Sequence, residues 1–245
     1  QSFQRKKNIY DNNNFYYLKI SPGNGARVPE QNSLASAGYS TSEFSDFARF
    51  EEEKLNVYHE WSRAEGSGQQ WFGDYFKVAR SYDYENIFNF ANLVTSEPVK
   101  VKAQMPLRSD VTSRFNININ GQNLNSSYAG AISILSGKND NIIDYYKLGT
   151  VDESVNLNSG DIDITVNYPL PNSSNPSEAW LDYIEINARR QLKMTGNQMG
   201  FRDINSIGQP ATEFNLSSAG SNIEIWDITT PLHAQQQNTT LSGTT

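Results

Sequence analysis

Covalent catalysis needs a nucleophile with a base held beside it. This chain of 245 residues has no cysteine and two histidines, His59 and His233. His59 lies in the charged stretch 51–65 and His233 in a polar C-terminal segment. A solvent-facing histidine explains each better than a general base. No Gly-x-Ser-x-Gly elbow is present to present a serine. Paired carboxylates could cleave a glycosidic bond, but Asp182 and Glu185 are an odd number of residues apart on one strand and face opposite ways. Asp182 reads instead as a half-buried carboxylate at a strand end, on the face of Trp180, Ile184 and Ile186. Asp161 and Asp163 share a strand face and, with Asp140 and Asp144, could offer oxygen ligands to calcium. No calcium-loop spacing accompanies them, and a solvated acidic edge is the commoner outcome. The expectation is therefore no catalytic residue, no metal and no cofactor.

Four tryptophans, Trp61, Trp71, Trp180 and Trp226, could stack on sugar rings. Aromatic side chains dominate cores by sheer area, and Trp180 is expected there. A docking surface would set aromatic anchors among polar residues, and Trp71 with Tyr75 are the candidates, against burial as the commoner fate.

The elements that must position these residues are written as strands. Val99, Val101, Ala103 and Met105 alternate with Lys100, Lys102 and Gln104. Phe115, Ile117 and Ile119 alternate with asparagines, and Asn120-Gly121 then supplies the positive φ angles of a tight hairpin. Ile162, Ile164 and Val166 alternate with Asp161, Asp163 and Thr165. Such alternation places one face in a core and the other in water. The spacing predicts further short strands at 15–20, 199–202, 214–216 and 223–228. Phe44, Phe47 and Phe50 recur every three residues after Ser42, which suits a short helix; Leu55 and Val57 suit a strand.

Short strands at this spacing give an all-β, antiparallel jelly-roll β-sandwich with an N-terminal extension. The division expected is 1–65 as an extension wrapping the sandwich, 66–230 as the sandwich, and 231–245 as a tail or linker toward a downstream domain. A net charge of −7 argues against nucleic acid. No apolar run reaches the length of a membrane helix, so no membrane span is expected. No secretory signal is visible in the polar, basic residues 1–7.

The strand order over residues 71–187 resembles the galactose-binding-like jelly rolls of carbohydrate-binding modules. Five stretches point further. Asn12-Asn13-Asn14-Phe15-Tyr16-Tyr17-Leu18 resembles an N-Y-Y-F-L strand, and Ser67-Gly68-Gln69-Gln70-Trp71-Phe72-Gly73-Asp74-Tyr75-Phe76 resembles S-G-R-x-W-F-G-E-x-F. Residues 181–190 match L-D-Y-I-E-I-N-A-R-R, while Gln198-Met199-Gly200-Phe201-Arg202 and Ile225-Trp226-Asp227-Ile228-Thr229 resemble Q-M-x-F-R and V-W-D-V-T. In this order they resemble the gingipain-related sortases, cell-surface cysteine peptidases of the bacterial type IX secretion system. Gln69 and Asp74 depart from that family's Arg and Glu.

The resemblance implies a non-catalytic region upstream of the peptidase domain, acting as scaffold or docking domain on the exterior of the outer membrane. The parent enzyme would remove the C-terminal sorting domain of cargo and attach the cargo to the cell surface. The implied partners are the downstream peptidase domain, secreted cargo proteins and secretion-system components. An independent carbohydrate-binding module or a surface adhesin domain is the alternative.

Overall fold

The computed structural model describes residues 13, 15, 17–57, 71–132, 145–172 and 176–243. In chain order its strands are β1 (Glu30–Gln31), β2 (Tyr39–Thr41), β3 (Glu43–Glu51), β4 (Tyr75–Phe76) and β5 (Ser81–Asn89). There follow β6 (Val99–Ser109), β7 (Asn116–Ile119), β8 (Gln122–Asn125), β9 (Lys147–Val155) and β10 (Asp161–Asn167). The last are β11 (Ser177–Trp180), β12 (Tyr183–Gln191), β13 (Thr212–Phe214), β14 (Ile225–Asp227) and β15 (Gln235–Gln237). The described residues form two compact units, one holding Ser45–Arg190 and the other Asn13–Phe44 with Gln191–Thr245.

The larger unit is an antiparallel jelly-roll β-sandwich. One sheet runs β5-β10-β7-β8; the other runs β3-β12-β6-β11-β4, with β9 along the free side of β6. Alternation in the sequence decides what fills the space between them. Phe115, Ile117, Ile119, Ile162, Ile164 and Val166 are all buried there, opposite Val99, Val101, Ala103, Met105 and Leu107 of β6. Burying each such side chain contributes about 1.5–3 kcal/mol. The β7–β8 turn is the expected hairpin: Asn120 and Gly121 both take positive φ, 45° and 88°, as a type I′ turn requires. In β5 the pairing slips between Ile162 and Ile164 of β10, where Asn86 takes a φ of 59°. Four steps along β5 match two along β10 there, and Asn86, which alternation would turn inward between buried Tyr84 and Phe88, is exposed.

The smaller unit holds a three-stranded sheet, β1-β15-β14, and a parallel pair, β13-β2. Its fixed point is a turn at Ile204–Ser206. One oxygen of buried Asp203 caps the Asn205 amide, and the other accepts from the Tyr39 hydroxyl at 2.8 Å.

Several expectations give way. The aromatic spacing at 44–50 lies on β3, not on a helix: Ala48 and Phe50 pack toward the core while Arg49 and Glu51 point to the other face. A three-residue aromatic rhythm marks no helix where the intervening residues also pack. The described residues of 15–20 and residues 199–202 lie outside any strand. β3, within the range expected as the extension, is a strand of the larger sheet, and residues 191–230 group with the smaller unit. Within the supposed tail, Gln235–Gln237 pairs with both β1 and β14. Those three polar residues carry no apolar alternation; backbone pairing and the Gln237 side-chain amide, which donates to the Gln31 carbonyl at 3.3 Å, hold them. His59, Trp61, Asp140 and Asp144, with Ser67 to Gln70, lie outside the described residues.

Candidate functional site

β11 and β12 are one line of the larger sheet interrupted at Leu181-Asp182. Ala179 pairs with Leu107 and Tyr183 with Gln104, so four steps along this line match three along β6. The extra residue is a bulge, and it reverses which side chains face inward. Ala179 and Leu181 point into the core before it; Ile184, Ile186 and Ala188 do so after it. Trp180 therefore lies on the outer face, not with Ile184 and Ile186 as the unbroken alternation implied. It is buried there, outside the inter-sheet core.

Residues 71–76 form a strut against this bulge. The Gly73 amide donates to the Leu181 carbonyl at 2.7 Å, and the Leu181 amide donates to the Asp74 carbonyl at 3.0 Å. The Asp74 carboxylate accepts from the Tyr84 hydroxyl at 2.8 Å and from Lys54 at 2.9 Å. Phe72 exchanges backbone hydrogen bonds with Leu55, and Phe76 enters the core. The Tyr75 ring stacks on Trp180 with centroids 5.3 Å apart and an interplanar angle of 15°.

Two buried charge clusters flank the bulge on the outer face. In the first, Glu178 accepts from the Tyr75 hydroxyl and pairs with Arg108 at 3.4 Å and Lys77 at 3.5 Å. Arg108 lies over the Tyr145 ring, 4.1 Å from its centre. Burial, and then donation to Glu178, push the Tyr75 phenol well above its ordinary pKa. In the second, Arg49 bridges Glu51 at 2.8 Å and Glu185 at 3.0 Å and stacks on Tyr183, 3.7 Å from the ring centre. Between them Asp182 accepts from the Gln104 amide at 2.6 Å. Burial pushes its carboxyl up to about 6; the Gln104 hydrogen bond opposes that, and Glu51 reinforces it.

The Glu178 carboxylate and the Tyr75 phenol are both engaged by internal partners. Of the two docking candidates, Trp71 is 40% exposed and Tyr75 is half-buried in its stack. Burial, the commoner fate, does not hold for Trp71. His233 is exposed in a single helical turn. Asp161 and Asp163 are exposed on β10, Asp161 taking the Asn89 side-chain amide. Among the described residues no group of three or more His, Cys, Asp or Glu is placed to hold a metal ion. Sequence reasoning missed the Arg108–Glu178 and Arg49–Glu185 pairs. Arg108 and Arg49 do stand at outward strand positions beside apolar neighbours, but partners 70 and 136 residues away leave no local mark.

No protein-family profile matches the sequence, and no curated protein matches it. Among solved structures the chain is similar to dimeric latent PorU from Porphyromonas gingivalis, with a TM-score of 0.68 and 14% identity over 89% of this chain. The likeness is one of fold, and this chain spans a fifth, 20%, of the PorU chain. It also overlaps a CBM36 carbohydrate-binding module crystallised with calcium and xylotriose (TM-score 0.29, 12% identity, 58% of this chain and 98% of that one). A further overlap is with the CBM36-1 domain of a multidomain xylanase from the hindgut metagenome of Trinervitermes trinervoides (0.33, 14%, 63% and 99%).

Proposed function

We propose that this chain is a non-catalytic β-sandwich region of a PorU-like cell-surface cysteine peptidase, a sortase of type IX secretion. In this reading it is a scaffold and docking domain that serves the peptidase domain of the same protein. The observation that carries the reading joins sequence and geometry. The described residues 71–76 of one stretch that resembles the sortases meet another, 181–190, in the fold: Gly73 and Asp74 bracket Leu181. Residues that pack on each other are constrained together, which supports reading the two matches jointly. The PorU-like fold over most of the chain supports the same reading, and the absence of cysteine supports a supporting role.

The role assigned is to hold cargo and secretion-system components at the exterior of the outer membrane while a separate domain cleaves. Trp71 is the proposed anchor, an accessible indole four residues before Tyr75 of the Tyr75–Trp180 stack. The test has two arms. The purified chain should not turn over peptide substrates; turnover abolished by changing one of its own residues overturns the non-catalytic assignment. In the full-length enzyme, Trp71→Ala should slow cargo processing with no loss of folded protein, while unchanged processing removes Trp71 from the docking surface.

A further inference from the structure

Burial is distributed unevenly between the two units. In the smaller one, 87 residues at positions 13–44 and 191–245, the described residues bury only Thr41, Phe44, Leu192 and Asp203. Two fully buried apolar side chains make a small core for a unit this size. Residues such as Tyr39, Met199, Phe201, Ile204, Phe214 and Leu216 are half-buried, Phe201 packing on Phe214 with ring centroids 5.3 Å apart, and other large apolar residues face water. Tyr17, Leu18, Ile20 and Leu232 are each more than 90% exposed, Phe15 is 72% exposed and Trp226 51%. Soluble surfaces seldom leave so much contiguous chain in this state unless something covers it.

Residues 15–20, Phe-Tyr-Tyr-Leu-Lys-Ile, are the sharpest case. They are β-formers, and apolar residues occupy both alternating sets, with Lys19 the exception. A strand of that kind belongs in a sheet covered on both faces. Charge narrows the partner. Residues 1–28 hold five Lys or Arg against one Asp, a net of +4; residues 29–245 hold fifteen against twenty-six, a net of −11. The covering surface is therefore expected to be acidic near this strand. A second copy would bring the same shortage of core, whereas the similar fold in PorU makes up a fifth of a much longer chain.

We propose that the smaller unit is an incomplete half-domain, closed by a β-sheet from another part of a longer polypeptide, with residues 17–20 inserted as a strand in that sheet. This rests on the reading of the chain as a region of a larger protein. The experiment compares amide hydrogen exchange in the purified 245-residue chain and in the longest form its parent gene encodes. The amides of 17–20 should exchange almost unprotected in the short form and at least ~10-fold more slowly in the long form, with β6 and β10 equally protected in both. The double change Tyr17→Asp, Leu18→Asp should lower the melting temperature of the long form and leave that of the short form unchanged.

Equal exchange in both forms overturns the inference. So does protection of 17–20 in the short form, whether it sediments as a monomer, where the chain covers itself, or as a dimer, where a second copy does. A parent gene encoding nothing beyond these residues also overturns it. Peptidase assays on the long form keep the two readings apart. Protection without peptidase activity sinks the sortase reading alone, and activity without protection sinks this inference alone.

Discussion

Replacing Asp182 by Asn should stabilise the chain at neutral pH and do little in acid. The Asp182 carboxyl sits in the bulge with its pKa pushed by burial from an ordinary 3.8 up to about 6. A carboxyl whose folded pKa is raised prefers to be protonated in the native state. Well below its ordinary value of 3.8 it is protonated in both states and costs nothing. As pH rises from about 4 to 6 the unfolded chain ionises first, and stability is lost through that window. A gap of about two pKa units corresponds to about 3 kcal/mol missing above pH 6. Asn mimics the protonated acid: its oxygen still accepts from Gln104, which now donates at 2.6 Å, and its amide replaces the acid hydroxyl. Urea unfolding followed by tryptophan fluorescence, on both proteins at pH 4 and pH 7.5, isolates this group from other carboxylates by difference. The variant should gain about 1–3 kcal/mol at pH 7.5, allowing for local relaxation, and much less at pH 4. An equal difference at the two pH values, or a loss at pH 7.5, would refute the reasoning and mean that Arg49 holds Asp182 ionised.

Gly160→Ala should cost at least ~2 kcal/mol in the same unfolding assay, because a β-carbon there would fall 2.1 Å from the Phe90 carbonyl oxygen and force the β5–β10 end apart. Arg49→Met should cost about 3–5 kcal/mol in that assay, since it strands the buried Glu185 carboxylate. Ile164→Ala, in the centre of the sandwich, should cost about 2–5 kcal/mol with no change in pH dependence.

What the sequence revealed was whatever a short window can hold. The alternation in 115–119 and 162–166 named six core residues, and Asn120-Gly121 named a turn, because period and turn chemistry are local. The bulge at Leu181-Asp182 was invisible, since one inserted residue reverses the faces without changing the pattern on either side of it. Trp180 was accordingly placed on the wrong face. The aromatic spacing of β3 also suits a helix, because its place as a strand depends on β12, roughly 140 residues further on, whose edge it fills. β15 is polar throughout and is a strand only because β1 and β14 flank it. Of the site, the Trp71–Phe76 stretch was legible as a motif and Trp71 as a docking candidate. The ion pairs that lock the outer face were not, because each joins residues distant in sequence.

The central proposal is that this sandwich works as a docking scaffold for a peptidase domain elsewhere in a longer protein. Deleting the region from the full-length enzyme and quantifying removal of the cargo sorting domain in cells tests it most directly. At matched levels of surface-exposed enzyme, with turnover of a short peptide retained, the account expects cargo to accumulate unprocessed and unattached. Normal processing and attachment under the same conditions would contradict it and reduce the region to a passive spacer.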